Sequence, residues 1–292
     1  MKNAMNTNMD GKVCLVTGAT NGIGKATALA LAKMGATVVI VGRNPAKCAE
    51  VTSEIGKMTG NKSVEALIAD LSIMAEVRQA ADHFKARHRT LHVLVNNVGA
   101  AFGKRQVTTE GFERTFALNY LNHFLLTNLL LDTLKASAPA RIVNVASNVH
   151  KGAHLDFDDL QSQKGVFLRD AYGRSKLANV LFSHELARRL SGTGVTSNVL
   201  HPGLVHTGFA SNLGSLPSAA IGFFMRFAGL TPEQGARTSV FLAASHSVEG
   251  VTGKYWETSE ALPSGRASHD ETSWARLWEV SERMVAATAP VG

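Results

Sequence analysis

From Lys12 onward, short apolar runs rich in β-branched residues alternate with stretches of helical periodicity, and the alternation persists to the C-terminus. Residues 12–17, 37–41, 63–69, 91–95, 140–146 and 195–200 read as strands, with 254–256 a last short one. Residues 23–34, 45–58, a stretch ending near 88, 109–135, the region around Tyr172 up to about 190, 232–244 and 268–287 read as helices. The run TVVIV at 37–41 is too continuously apolar for a half-exposed strand, which implies a sheet covered on both faces.

Crossovers of this length fit βαβ units. The fold class is therefore α/β, a Rossmann-type doubly wound parallel sheet of about seven strands with helices on both faces. No Pro/Gly-rich linker divides the chain, so one domain is expected over 10–292 after a flexible tail at 1–9. The net charge is +7, but the basic residues are scattered, and the densest patches, at Lys85 to Arg89 and Arg188-Arg189, read as solvated helix ends. That argues against a nucleic-acid partner. The N-terminus lacks an apolar signal core and no run of 18 apolar residues occurs, so a cytoplasmic protein without a transmembrane segment is expected. Cys14 and Cys48 have no metal-ligand spacing and read as free thiols in a reducing compartment.

In doubly wound sheets the ligand sits beyond the carboxyl ends of the strands. Gly18, Asp70, Asn97, Ser147 and Pro202 each follow a strand, so one shared site is expected there. The segment Thr17-Gly18-Ala19-Thr20-Asn21-Gly22-Ile23-Gly24 joins the first strand to the first helix, where glycines let a pyrophosphate approach the backbone at a helix N-terminus. Its spacing is G-x-x-x-G-x-G, and in this strand–turn–helix context it signals a dinucleotide. Where an acid would take a ribose 2′-hydroxyl, the second strand ends in Gly42-Arg43-Asn44. An arginine there can clamp a 2′-phosphate, which favours NADP(H) over NAD.

Tyr172 and Lys176 stand four apart in a helical pattern and so share a face. A nearby ammonium favours phenolate, and this lowers a tyrosine pKa toward a value useful for proton transfer to an alkoxide or carbonyl oxygen. A serine hydroxyl such as that of Ser147 could hold the same oxygen. His150 and His154 flank the site loop, where they could touch substrate but read rather as exposed loop residues, and His201 and His206 have no ligand set around them, so no metal is expected.

Together these ordered motifs resemble the short-chain dehydrogenase/reductase family, over roughly residues 10–285. TGATNGIG matches its cofactor turn, Asp70-Leu71 its adenine-side acid, NNVG at 96–99 its NNAG motif, and His201-Pro202-Gly203 its P-G turn. FALNYLNHFLLTNLL, RIVNVASNVH, LDFDDL, AYGRSKLANVLF, LHPGLVHT and SWARLWEVSE resemble the retinol-dehydrogenase-like and WW-domain oxidoreductase-like branch. The hydrophobic N-terminal anchor of many retinol dehydrogenases and the WW modules are both missing from the sequence given.

The resemblance implies a tetrad of Asn119, Ser147, Tyr172 and Lys176. Tyr172 would act as general acid in reduction and base in oxidation. Ser147 would orient the substrate oxygen, Lys176 would lower the Tyr172 pKa and bind the nicotinamide ribose, and Asn119 would hold a relay water. Gly99, Pro202, Gly203, Val205 and Thr207 would join the glycine turn, Arg43, Asn44, Asp70, Leu71 and Asn97 in holding NADP(H). The implied substrate is a small-molecule carbonyl or alcohol; the residues Phe223, Phe224, Met225 and Phe227 themselves read either as an apolar lid within 203–231, which would make the substrate apolar, or as the packed face of a short helix. The family also implies a possible homo-oligomer through the helices at Asn119 and Tyr172. A rival from another class is an NADP-binding sensor without turnover, but its mark, loss of the tyrosine or lysine, is not present.

Overall fold

The computed structural model describes residues 7–165, 168–205 and 229–289. Eight strands form one sheet in the order β3-β2-β1-β4-β5-β6-β7-β8. They are β1 (Val13–Thr17), β2 (Thr37–Gly42), β3 (Val64–Ile68), β4 (Val93–Asn96), β5 (Ala140–Val145), β6 (Val195–His201), β7 (Tyr255–Glu257) and β8 (Glu260–Leu262). All neighbours pair in parallel except β7 with β8. The antiparallel eighth strand was not expected. It is three exposed residues with no apolar run, joined to β7 by Thr258 and Ser259 in the left-handed region.

Helices α1 (Gly22–Lys33), α2 (Pro45–Thr59) and α3 (Met74–Arg87) follow the first three strands. Local chemistry fixes their ends. Asn44 caps α2 by accepting from the Lys47 N–H at 3.0 Å, Pro45 opens it, and Gly60 closes it at φ 72°. Within the expected loose tail, Thr7 and Met9 are instead buried, while Asn8 is exposed. The Met9 N–H donates to the Met34 carbonyl at 2.8 Å.

The single long helix expected at 109–135 is broken. Short α4 (Arg114–Phe116) leads into a π-helical turn over Ala117–Leu121, then α5 (Asn122–Leu129) and α6 (Leu131–Ala136). Asn122 supplies the break, since its side-chain amide donates to the carbonyls of Ala117 and Leu118 and competes with the regular ladder. Helix α7 (Leu168–Arg189) carries Tyr172 and Lys176, and α8 (Pro232–Ala244) starts on a capping box of Thr231 and Gln234. The chain ends in α9 (Glu271–Ala286).

The β1 side chains alternate between two cores, with Leu15 among residues of α3, α5, α7 and α9, and Cys14 and Val16 among residues of α1, α2 and α8. Both cysteines are buried and free. Helix α9 lies across α7 and brings Trp278 to within 5.0 Å of Phe124 and 5.9 Å of Phe182, centroid to centroid. The sheet order jumps from β3 across β2 and β1 to β4. That reversal opens a crevice beyond the carboxyl ends of β1 and β4.

Candidate active site

A cavity of about 550 Å³ fills that crevice, within the usual size range for small-molecule sites. Its floor is the turn between β1 and α1. Gly18 sits at φ 64°, and a Cβ there would come within 2.9 Å of the Val98 Cα; one on Gly24 would lie 2.5 Å from both Asn97 Nδ2 and the Gly18 carbonyl. Thr17, not expected from the sequence as a site residue, is the brace: its buried hydroxyl accepts from the N–H groups of Asn97 and Val98 at 2.9 and 3.0 Å. Asn97 returns the support, its amide donating to the Thr17 carbonyl at 2.8 Å.

Above this turn, α1 begins without an acidic residue in its first turn, and Asn21 makes no side-chain cap. The free N–H groups and the positive end of the helix therefore face the cavity, an arrangement that suits a pyrophosphate. Thr20, Asn21, Gly22, Ile23 and Gly24 all line it. At one end Arg43 is exposed and Asp70 accepts from the N–H and hydroxyl of Ser72 at 2.9 and 2.7 Å, with Leu71 beside it. Asn44 is not on the wall, because its side chain is spent capping α2. These features fit an elongated dinucleotide with a negatively charged middle.

At the other end stand Ser147, Tyr172, Lys176, Pro202, Gly203 and Val205. Ser147 follows β5 by two residues and caps a 3-10 turn (Asn148–Gly152), its hydroxyl accepting weakly from the Val149 N–H at 3.5 Å. That hydroxyl also bonds the Tyr172 side chain. Lys176 is buried, donates to the Val145 carbonyl at 2.9 Å and lies 5.7 Å from the Tyr172 ring centroid. Burial pushes the Tyr172 hydroxyl up to about 12, opposed by the Ser147 bond, and pushes the Lys176 ammonium down to about 7. At Tyr172 burial thus outweighs the lowering expected from its lysine.

Asn119 stands behind the wall, fully buried in the π-helical turn. Its amide oxygen accepts from the Ala100 N–H at 2.8 Å, and its nitrogen donates to the Ala100 carbonyl and the Ser175 hydroxyl, both at 2.9 Å. Those bonds pin Gly99 and Ala100 against Lys176, so Asn119 positions the wall and its side chain is not open to the cavity. A Cβ on Gly99 would lie 3.1 Å from Lys176 Nζ.

His150 departs furthest from expectation. It is fully buried, with Nδ1 2.6 Å from the Ser147 carbonyl and Nε2 2.9 Å from the Gly265 N–H. His154 is exposed, as its loop position suggested. Phe102, Gln106, Arg114, Leu118 and Val149 also line the cavity without having been singled out. The Arg114 guanidinium lies 4.7 Å over the Phe102 ring and bonds Gln106 at 2.7 Å. For Phe102, Gln106, Arg114 and Leu118 only a place between the NNVG turn and Asn119 could have flagged them, and for Val149 its place two residues after Ser147. Thr207, His206 and the aromatic residues of the expected lid lie outside the described residues. The segment's described ends meet, since the Leu230 N–H donates to the Leu204 carbonyl at 2.7 Å. Among the described residues, no group of three or more His, Cys, Asp or Glu side chains is placed to hold a metal ion.

Residues 12–216 match the family model described as short chain dehydrogenase. The chain belongs to the short-chain dehydrogenase family. Human retinol dehydrogenase 13 is 40% identical over 285 residues, covering 96% of this chain and 86% of that protein. Human polyprenol dehydrogenase is 41% identical, covering 94% and 84%. Among solved structures, the Pseudomonas aeruginosa RhlG/NADP active-site complex superimposes with a TM-score of 0.69 at 27% identity, covering 90% of this chain and 99% of that one. This short-chain dehydrogenase is accordingly an oxidoreductase of CH–OH groups with a nicotinamide dinucleotide site of Rossmann type. Among its described residues, no helix is long and apolar enough to cross a membrane.

Proposed function

We propose that the protein uses NADP(H) to interconvert a carbonyl and an alcohol on a bulky apolar substrate, with Tyr172 as proton donor and acceptor. One observation carries the reading: a single cavity is lined at one end by the acid-free start of α1 and Arg43, and at the other by Ser147, Tyr172 and Lys176. Phe102, Leu118, Val149 and Leu204 add apolar wall, and two relatives are named for isoprenoid alcohols, retinol and polyprenol.

Arg43 would hold the 2′-phosphate that distinguishes NADP(H), and the α1 N-terminus would hold the pyrophosphate. When bound, the cofactor supplies or accepts the hydride. In reduction, the Ser147 hydroxyl donates to the substrate oxygen and Tyr172 passes its proton to that oxygen as negative charge develops. Lys176 would restore the Tyr172 proton, a role supported by its place 5.7 Å from the Tyr172 ring centroid and by the burial that brings its ammonium down to about 7. Asn119 keeps Gly99 and Ala100 packed so that Lys176 stays beside Tyr172.

Initial rates with NADPH and NADH on retinaldehyde, long aliphatic aldehydes and short polar aldehydes test this. The expected result is NADPH favoured by at least about tenfold and kcat/KM rising with apolar size. A preference for NADH, or equal rates on small polar carbonyls, would remove the reading of Arg43 or of the substrate respectively.

A further inference from the structure

His150 follows Ser147 by three residues, and both hydrogen bonds of its buried ring are defined. Nε2 accepts from the Gly265 N–H, so this nitrogen carries no proton. The ring proton is therefore on Nδ1, which donates to the Ser147 carbonyl. One imidazole thus ties the backbone of Ser147 to the arm that follows β8. The arm is shaped to receive it, since a Cβ on Gly265 would come within 2.7 Å of the Lys151 Cα and 3.3 Å of the His150 ring. Two further bonds hold the same turn to β7: the Tyr255 hydroxyl donates to Asn148 Oδ1 at 2.8 Å, and Asn148 Nδ2 donates to Glu257 at 3.0 Å. The Tyr255 ring lies 4.9 Å from that of His150.

We infer that His150 is a positioning residue for Ser147, and that its neutral Nδ1–H tautomer clamps the serine turn to the Gly265 arm. This rests on the proposed role of Ser147 in holding the substrate oxygen. It also gives the C-terminal arm, far from the motifs in sequence, a part in the chemistry. A second ring proton would place N–H against N–H at Gly265 and open the clamp. The groups around the ring divide: Lys151 and His201 oppose that proton, Glu257 favours it, and Tyr255 and His184 of α7 stand near. Burial is the largest influence and moves protonation below the ordinary imidazole range. Turnover is therefore expected to fall on the acid side as the clamp opens.

The test is the pH profile of kcat for wild type, His150→Asn and His150→Gln. An asparagine amide can replace the Nδ1 donor and a glutamine amide the Nε2 acceptor, but neither spans both contacts nor titrates. Both variants are expected to lose about tenfold in kcat, to bind NADPH within about twofold of wild type, and to lose the acid limb that the wild type shows. Wild-type kcat in either variant, or an unchanged acid limb, would overturn the inference. If the variants do not fold, nitrogen-15 histidine spectra of the wild type decide. His150 must be the Nδ1–H tautomer at pH 8 and must protonate at the midpoint of the kcat acid limb; an Nε2–H ring, or a ring that does not titrate with the limb, rejects the clamp. Ser147→Ala run alongside separates the two failures, because full turnover in that variant would remove the reading of Ser147 itself.

Discussion

Lys176 is buried at a cost, and the cost has a sign that can be tested. Its ammonium is disfavoured in the folded chain and unopposed in the unfolded one, so the penalty is fully present below about pH 7 and fades as pH rises toward the ordinary lysine value of 10.5. Lys176→Met, measured without cofactor, is expected to raise Tm at pH 6 by several degrees, with the gap to wild type narrowing by pH 9, while turnover is lost. A lower Tm at pH 6 would mean the lysine stabilises the fold and its burial cost has been misread. That Ser147, Tyr172 and Lys176 share one site was legible from the four-residue helical spacing together with the family resemblance. Their protonation was not, because burial depends on partners such as Val145 that lie far off in the chain. His150 was misplaced for the same reason: its loop reads as polar, and Tyr255 and the Gly265 arm, both distant in sequence, pack against its ring.

At the scale of elements, α9 covers the helical face that its neighbours would otherwise expose. Trp278 packs on Phe124 and Phe182, Tyr120 and Ser281 share a hydroxyl bond at 2.7 Å, and the Arg189 guanidinium lies 4.2 Å over the Trp278 ring. Trp278→Ala is expected to cost about 3–5 kcal/mol, read as a fall in the urea midpoint; a loss below about 1 kcal/mol would show that α9 is only draped over the face. The same face belongs to α5 and α7, the helices through which an oligomer was expected, so any such contact would have to accommodate α9. Strands β1 to β7 and most helices could be read from period and caps. The break at 117–121 could not, since it depends on which carbonyls the Asn122 amide takes. Strand β8 could not either, because Glu260–Leu262 pairs with β7 without any apolar signal of its own.

At the scale of the molecule, the reversal of strand order between β1 and β4 gathers residues from six strand ends into one cavity, which is why motifs spread over nearly 190 positions, from Thr17 to Val205, act together. Arg43 marks the cofactor end, and Arg43→Asp is expected to weaken NADPH binding by about 10- to 100-fold while leaving NADH within a few-fold, read by isothermal titration. Equal losses for both cofactors would place the arginine's role in the fold. Carbonyl reduction in this cavity with Tyr172 as the acid is open to a single-turnover experiment. NADPH absorbance is followed after mixing retinaldehyde with wild type or Tyr172→Phe, each saturated with NADPH. The account predicts that the hydride-transfer rate falls by at least about 100-fold in Tyr172→Phe with NADPH affinity within about threefold of wild type. A Tyr172→Phe variant that oxidises NADPH at the wild-type rate would contradict it.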